Sequence, residues 1–276
     1  MLNINYNIEH LTLMADNETM MRRFYRDILG LIEMQASNHS YSYAFTNSDT
    51  PFLTLIFDGH KTSKPQAGLY HFALLFPDTA SLASLIERLI LIDYPLGAGD
   101  HDVSEAFYLN DPNGNGIELY HDRPEALWEW DNNFIKMGTK DVDVQTLLQT
   151  KKSDWFGFPA DMKIGHLHFV GNDLTKGDDF FINSLKMALT ATISDSAHFY
   201  SHNRYHHHHA YNTWLGRNIT QRDEQDNGLL NWTVSVDSSY FNLLQSNLSD
   251  RNVSTIAGQI WLTDPFGSQL IIMEKN

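Results

Sequence analysis

An internal repeat is the feature that most constrains how this 276-residue chain folds. Three landmarks occur twice and in the same order: an alternating segment with a central histidine (7–13 and 163–169), a glycine-led apolar segment (68–74 and 228–234) and an Asp-Pro turn (111–116 and 264–268). Alternation of apolar and polar residues predicts short strands. Three landmarks repeated in one order predict a chain of two similar halves.

Each half divides once more. A strand, a helical segment and several further strands are predicted from 8 to about 58, and the same succession recurs from 70 to 121. The chain is therefore predicted to be an α+β protein of four βαβββ units. We expect a first half at 1–125, an ordered connector at 126–160 and a second half at 161–276.

The composition excludes several kinds of chemistry. The absence of cysteine rules out disulfides, thiolate catalysis and cysteine-ligated metals, so a transition-metal site must use some of the fourteen histidines together with carboxylates. A net charge of −15 opposes binding to nucleic acid or to anionic membranes. No apolar run approaches the roughly 18 residues of a membrane span, and no secretory signal is evident, so a cytoplasmic location is expected.

Two further motifs accompany the strand histidines. The segments FYRDILGL at 24–31 and DPNGNGIELY at 111–120 resemble the glyoxalase/bleomycin-resistance/extradiol-dioxygenase group, the vicinal oxygen chelate superfamily. The segments at 68–73, 100–106 and 205–214 resemble its two-domain catechol 2,3-dioxygenase branch. The resemblance implies that the four units pair into two vicinal-oxygen-chelate-type domains of curved mixed sheets with flanking helices.

The resemblance also implies where a metal would bind. Family members place ligands on the first strands of two paired units and on the last strand of one of them. The first-strand positions of the four units are His10, His71, His166 and Asn231. Glu118 is the last-strand carboxylate, so it and His71 are the expected ligands from the second unit. Two histidines and one carboxylate typify mononuclear iron(II) oxygenases.

The third ligand depends on which unit pairs with the second. Pairing units one and two gives His10, whereas pairing units two and three gives His166, and both pairings occur in the superfamily. We favour His166, because the histidine-rich segment 205–209 belongs to the third unit and would then lie over the same metal. His168 should share the strand face of His166 and is a close substitute.

Three residues are expected to act on the substrate. Tyr108 precedes Glu118 by ten residues across a hairpin and matches the substrate-contacting tyrosine of the family, and His101 resembles its second histidine. His208 aligns with the last histidine of the branch motif and is predicted to be the acid/base, with His206 on the same face of a strand. Alternatively, Tyr108 is an aromatic residue that only packs, His101 is an exposed loop histidine, and His208 belongs to a run of solvated histidines.

The expected function is that of an iron(II)-dependent extradiol ring-cleaving dioxygenase acting on a catechol-like aromatic diol and O₂. One alternative is a metal-dependent lyase, isomerase or thiol transferase of the same fold, using another divalent metal. A second is a non-catalytic binding protein of the bleomycin-resistance type. Fold alone does not choose among these. A homo-oligomer is compatible with the sequence, which leaves the oligomeric state open.

Overall fold

Four units of similar organisation follow one another in the computed structural model, which describes residues 4–248 and 253–275. The first unit comprises β1 (Tyr6–Met14), α1 (Glu18–Arg22), β2 (Ile32–Ser37), β3 (Ser40–Ala44) and β4 (Leu53–Ile56). The second comprises β5 (Gln66–Leu75), α2 (Thr79–Leu91), β6 (Gly97–Asp100), β7 (Ser104–Asn110) and β8 (Gly116–Asp122). The connecting segment then holds a 3₁₀ turn (Glu125–Leu127), β9 (Trp130–Asp131), β10 (Phe134–Ile135) and α3 (Val144–Gln149).

The same organisation returns in the second half of the chain. The third unit comprises β11 (Lys163–Val170), α4 (Leu174–Asp178), β12 (Ala188–Ile193), β13 (Ala197–Ser201) and β14 (His209–Asn212). A two-residue strand, β15 (Thr220–Gln221), precedes the fourth unit, which comprises β16 (Gly228–Val236), α5 (Ser238–Asn247), β17 (Val253–Ile256), β18 (Gln259–Thr263) and β19 (Gln269–Glu274). The α+β class predicted from the sequence is confirmed.

Capping side chains mark where helices begin, and the spacing of apolar residues determines which helix face is buried. The Asp78 side chain caps α2 by accepting from the Ser81 N–H, and Leu82, Leu85 and Leu89 bury one face of that helix. In the first and third units the helix continues as a π-helical turn, at Arg23–Ile28 and Asp179–Ser184. The two π-helical turns occupy equivalent positions in the first and third units. The similarity between these units therefore includes an irregular backbone feature as well as the regular helices and strands.

Strand pairing joins the units in a way that crosses the two halves. β1 pairs antiparallel with β16, and the strand order around this pair is β2-β3-β4-β1-β16-β19-β18-β17. β5 pairs antiparallel with β11, and the order around that pair is β6-β7-β8-β5-β11-β14-β13-β12. The first unit thus pairs with the fourth and the second with the third. The boundaries at 125 and 160 stay predictions.

Alternation along the strands separates the apolar core from a second, more polar face. On β5, Phe72 and Leu74 lie in the main core, so His71 and Ala73 face the other way. On β8, the same alternation sends Ile117 and Leu119 into the core and turns Glu118 away from it. The face opposite the core therefore collects the residues that the sequence singled out.

The Asp-Pro turns fix the start of the last strands. The Asp111 carboxylate accepts from the backbone N–H groups of Asn113 and Asn115, each at 2.9 Å, and from the Tyr25 hydroxyl at 2.8 Å. Asp264 accepts from the N–H groups of Phe266 and Ser268 in the same way. These buried turns explain why the motif recurs: each one closes the hairpin that orients a final strand.

The connecting segment packs against the units. The indole N–H of Trp155 donates to the Leu29 carbonyl at 2.9 Å, and Phe158 and Trp128 are buried. No helix in the two described ranges is long and apolar enough to cross a bilayer.

Candidate metal centre and active site

Three side chains from β5, β8 and β11 converge on the face opposite the core. The strand register aligns His166 with Ala73 and Ala73 with Glu118, while His71 lies two residues before Ala73 on the same face. The Nε2 atoms of His71 and His166 lie 3.0 and 3.1 Å from the Oε2 atom of Glu118. The two Nε2 atoms lie 3.3 Å apart. The structure therefore brings these three predicted ligands into one cluster.

The cluster is buried, and burial sets its electrostatics. The exposed fractions of His71, Glu118 and His166 are 6%, 3% and 1%. Burial alone raises the pKa of Glu118, but attraction and hydrogen bonds from His166 and His71 outweigh burial and lower that pKa well below its usual range. Burial also lowers the pKa of His71. The site thus favours a carboxylate at Glu118 and a neutral imidazole at His71, the forms that bind a metal.

The donor set fits a divalent transition metal. One ligand atom from each of the three residues lies within 4.8 Å of the other two. Two imidazole nitrogens and one carboxylate oxygen match the ligands used by mononuclear iron(II) sites, whereas magnesium and calcium prefer all-oxygen sites. The Nδ1 atom of buried His166 has no hydrogen-bond partner among the described residues. The cluster can hold the metal through both Nε2 atoms and Glu118.

The two substitutes for His166 lie outside this cluster. His10 belongs to β1 in the other pair of units, where its Nε2 is 2.9 Å from the Thr54 hydroxyl. His168 shares the face of His166, and its ring centroid is 4.8 Å from that of His71. However, its Nε2 accepts from the Asn212 amide at 2.8 Å, so that nitrogen is already engaged. The pairing of units two and three and the placement of His166 agree with the favoured prediction.

A cavity of about 280 Å³ opens beside the cluster. His71 and Glu118 line it, and aromatic and aliphatic side chains form much of the remaining wall; among these are Tyr70, Ile193, Phe199 and Trp214. Met137, Gly138 and Thr139 complete another side, so the connecting segment contributes to the cavity. No lysine or arginine occurs among the described residues that line it.

Tyr108 and His101 form a hydrogen-bonded pair at the cavity. Tyr108 lies opposite Glu118 in the β7–β8 ladder, as the hairpin predicted. The His101 Nδ1 atom is 2.8 Å from the Gly138 carbonyl, which can only accept, so Nδ1 carries the proton. His101 Nε2 then accepts from the Tyr108 hydroxyl at 2.7 Å. Burial and the nearby Glu118 carboxylate raise the pKa of Tyr108, which keeps the hydroxyl protonated.

The prediction that His208 reaches this cavity is wrong. His208 Nδ1 is 2.7 Å from the Ser201 hydroxyl, and its ring lines a different cavity of about 620 Å³. His207 lines the cavity beside the metal cluster instead, with its ring centroid 4.1 Å from that of His166. The prediction treated residues 205–209 as part of one strand. However, β13 ends at Ser201 and β14 begins at His209, so strand alternation does not apply between these two residues.

Sequence reasoning also missed partners of His207. Alternation along a strand would place His206 and His207 on opposite faces, yet their Nδ1 atoms lie 2.7 Å apart. Asp122, at the end of β8, is 2.8 Å from His206 Nε2. The sequence did contain a signal for Asp122. Alternate residues of β8 share a face, so Asp122 lies on the same face as Tyr120 and the predicted ligand Glu118.

Two sequence comparisons match large parts of this chain. Residues 7–119 match the family described as the Glyoxalase/Bleomycin resistance protein/Dioxygenase superfamily. A catechol-2,3-dioxygenase of Bacillus subtilis (strain 168) is 41% identical over 171 residues, which are 60% of this chain and 60% of that protein. The aligned region therefore spans about three fifths of that relative's length.

Solved structures show the same fold over the whole length. A candidate dioxygenase of Bacillus subtilis subsp. subtilis str. 168 has a TM-score of 0.63 at 15% identity, covering 97% of this chain and 84% of that chain. Glyoxalase I of Zea mays has a TM-score of 0.55 at 12% identity, covering 98% and 93%. At these identities the likeness concerns the fold. Residues 7–119 are thus similar in sequence to the Glyoxalase/Bleomycin resistance protein/Dioxygenase superfamily that the motifs pointed to, and the chain has the fold of the solved dioxygenase and glyoxalase structures.

Proposed function

We propose that this protein is an extradiol-type ring-cleaving dioxygenase that binds iron(II) through His71, Glu118 and His166 and acts on a catechol-like aromatic diol. The observation that carries the proposal is the convergence of two Nε2 atoms and one carboxylate oxygen at the edge of a largely apolar cavity. The 41% identity to a catechol-2,3-dioxygenase over 171 residues supports the same reaction class.

The three ligands leave part of the metal's surroundings to the substrate. They come from strands on one side of the cavity, as in sites that keep open positions for exogenous ligands. Bound iron(II) would supply open positions for the diol and O₂ and would pass electrons from the diol, which is oxidised, to O₂, which is reduced. Burial of the cluster would strengthen the attraction between bound iron(II) and an anionic diol.

His207 is the residue proposed to take a proton from the diol. A catechol loses protons as it chelates, and a base must receive them. The His207 ring lines the cavity and lies against the His166 ring, so it is close to where the diol oxygens would bind. Burial lowers the pKa of His207 well below its usual range, which keeps the imidazole neutral before the diol binds.

Tyr108 and His101 are proposed to orient and stabilise the diol from the other side. The Tyr108 hydroxyl donates to His101, so its oxygen lone pairs remain available to a substrate hydroxyl. His101 is fixed by the Gly138 carbonyl in the connecting segment. A proton passed from the diol to this pair would rest on His101 Nε2, and Tyr108 would then donate to the diol oxygen as negative charge develops there.

The proposal is tested by metal analysis together with oxygen uptake. The chain is purified anaerobically, stripped with a chelator and reloaded with iron(II), manganese(II) or zinc(II). With iron(II) and catechol we expect one O₂ consumed per diol and a yellow ring-opened product. Glu118→Gln keeps the side-chain size but removes the charge, so it should lose both bound metal and turnover. His10→Ala is the matched control, since His10 contacts Thr54 away from the cluster.

Two outcomes would overturn the proposal. One is the absence of O₂ uptake with every simple neutral catechol under all three metals. The other is normal iron content and turnover in Glu118→Gln. Tight metal binding without O₂ uptake would direct attention to a non-oxygenase reaction of the same superfamily.

A further inference from the structure

A hydrogen-bonded chain leads away from His207 on the side opposite the cavity. His207 Nδ1 lies 2.7 Å from His206 Nδ1, and His206 Nε2 lies 2.8 Å from an oxygen of Asp122. The second oxygen of Asp122 accepts from the Tyr205 hydroxyl at 2.7 Å, and the Tyr120 hydroxyl lies 2.9 Å from that of Tyr205. The chain therefore runs from the cavity to a carboxylate on β8.

The acceptors in this chain determine where the protons lie. A carboxylate oxygen accepts, so His206 donates its Nε2–H to Asp122. A neutral imidazole carries one proton, which leaves His206 Nδ1 as an acceptor. The short contact between the two Nδ1 atoms then requires the proton between them to belong to His207. His207 is left with an unprotonated Nε2, which has no hydrogen-bond partner among the described residues.

We infer that Asp122 and His206 are positioning residues that hold His207 in the tautomer whose Nε2 carries a lone pair. Their role in turnover rests on the proposed function, in which His207 takes a proton from the diol. Without Asp122, His206 could place its proton on either nitrogen. In the Nδ1–H form His206 would donate to His207, whose own proton would then lie on Nε2, where it blocks acceptance from a diol.

The surroundings restrict the alternatives. His206 is fully buried, and only 18% of the Asp122 side chain is exposed. The Trp128 ring packs against His206 with a centroid distance of 5.2 Å, and its indole N–H donates to the Arg123 carbonyl at 2.9 Å. The Tyr205 hydroxyl occupies the second oxygen of Asp122, so the carboxylate is held from both sides. Rotation of His206 would break both of its contacts, and its ring has no exposed surface at which water could replace them.

The tautomers can be measured directly. Histidine labelled with ¹⁵N in both ring positions gives distinct signals for protonated and unprotonated nitrogens in two-bond ¹H–¹⁵N spectra. The spectra are recorded on the metal-free protein at mildly alkaline pH, and His206→Gln and His207→Gln assign the two rings. We expect His206 protonated at Nε2 and His207 at Nδ1. The opposite pattern in the parent protein would overturn the inference, whatever the activity.

Two variants link the tautomer to turnover. Asp122→Ala should remove the preference of His206 for Nε2–H and reduce kcat by about 10- to 100-fold, with iron content preserved and KM changed by less than about threefold. Tyr205→Phe is the matched control, since it removes a contact to the other Asp122 oxygen and should leave both tautomers in place. A loss of kcat in Asp122→Ala with unchanged tautomers would refute the positioning role. If Asp122→Ala does not fold, the parent spectrum decides the inference.

These readouts separate the inference from the proposed function. A parent protein with the expected tautomers but no ring cleavage would refute the proposed function and support the hydrogen-bond arrangement. A parent protein that cleaves catechol but shows the opposite tautomers would support the proposed function and refute the hydrogen-bond arrangement.

Discussion

The Nε2 atoms of His71 and His166 lie 3.3 Å apart, and both point at the same oxygen of Glu118. If both rings donated to this oxygen, their two Nε2–H groups would meet across 3.3 Å. A divalent cation shared by the three atoms would remove that contact, because each nitrogen would then offer a lone pair. The geometry of the cluster therefore suits a shared cation.

Metal should stabilise the folded chain. Binding to the native state alone adds about 2.7 kcal/mol to the free energy of unfolding when free metal is 100 times the dissociation constant. Thermal unfolding with and without a chelator should show this difference in the parent. His166→Ala should lose most of it and His10→Ala should keep it. An equal loss in the two variants, or the reverse order, would contradict the assignment of His166 as third ligand.

Replacement of His207 should slow the reaction without releasing the metal. General acid–base assistance contributes about 10²–10⁴-fold, so His207→Gln should lower kcat within that range at near-normal iron content. His208→Gln is the matched neighbour and should stay within about threefold of the parent, because its side chain contacts Ser201 at another cavity. Steady-state oxygen uptake and iron analysis provide the comparison. A large loss of kcat in His208→Gln with little loss in His207→Gln would instead support His208 as the acid/base.

Removal of the Tyr108 hydroxyl should have a smaller effect. Tyr108→Phe deletes one hydrogen bond of the pair with His101, worth about 0.5–1.5 kcal/mol, which corresponds to roughly a 2- to 13-fold loss in kcat/KM. His101→Gln should fall in a similar range, since both changes interrupt the same pair. The double variant should then lose little more than either single one. Full additivity of the two losses would show that the residues act separately.

The free energy of unfolding should fall in mild acid, partly because of His202. This side chain lies 2.9 Å from the Tyr240 hydroxyl, and burial lowers its pKa to about 4, against a weaker raising effect of Asp237. Between pH 6.5 and 4 the unfolded chain binds a proton at His202 that the folded chain does not, so stability is lost as pH falls through this window. The contribution is of the order of 3 kcal/mol.

His202→Gln can retain the hydrogen bond to Tyr240 but does not titrate. Its free energy of unfolding should therefore decline less than that of the parent between pH 6.5 and 4. Urea unfolding at several pH values, with chelator in every sample, measures the difference. Parallel pH curves for the two proteins would mean that His202 is protonated in the folded state as readily as in the unfolded one.

The charge of the substrate should matter strongly. The described lining of the cavity holds no lysine or arginine, and Glu118 adds a negative charge to it. A carboxylate on the ring would be desolvated without a partner, which costs several kcal/mol. We expect kcat/KM for 4-methylcatechol to exceed that for 3,4-dihydroxybenzoate by about 100-fold or more. Comparable values for the two diols would indicate a cationic group that reaches the bound substrate.

The sequence predicted the fold class and much of the cluster for identifiable reasons. Repeated landmarks mark the units, and strand alternation directs residues such as His71 and Glu118 away from the core. These are local properties. The choice between His10 and His166 depended on which units pair, and pairing is a long-range property that a repeat pattern alone leaves open.

The histidine run shows where local rules fail. A period of two requires a regular strand, and residues between Ser201 and His209 form a short turn followed by bends and irregular backbone instead. Turn geometry brings the neighbouring rings of His206 and His207 into contact, which alternation forbids. Asp122 was overlooked for a different reason: its partner His206 is 84 positions away in sequence. Only the pairing of β5 with β11, which brings units two and three together, explains that contact.

The pairing of units has a practical consequence for anyone who divides this chain. His71 and Glu118 belong to one half and His166 to the other, with residues 126–160 between them. Two fragments cut within that segment would each carry an incomplete ligand set, and β5 and β11 would each lack the partner strand beside them. Under the proposed function, colour from a cleaved catechol would therefore report the reassembly of two separately expressed fragments, so the chain could serve as a split-enzyme reporter.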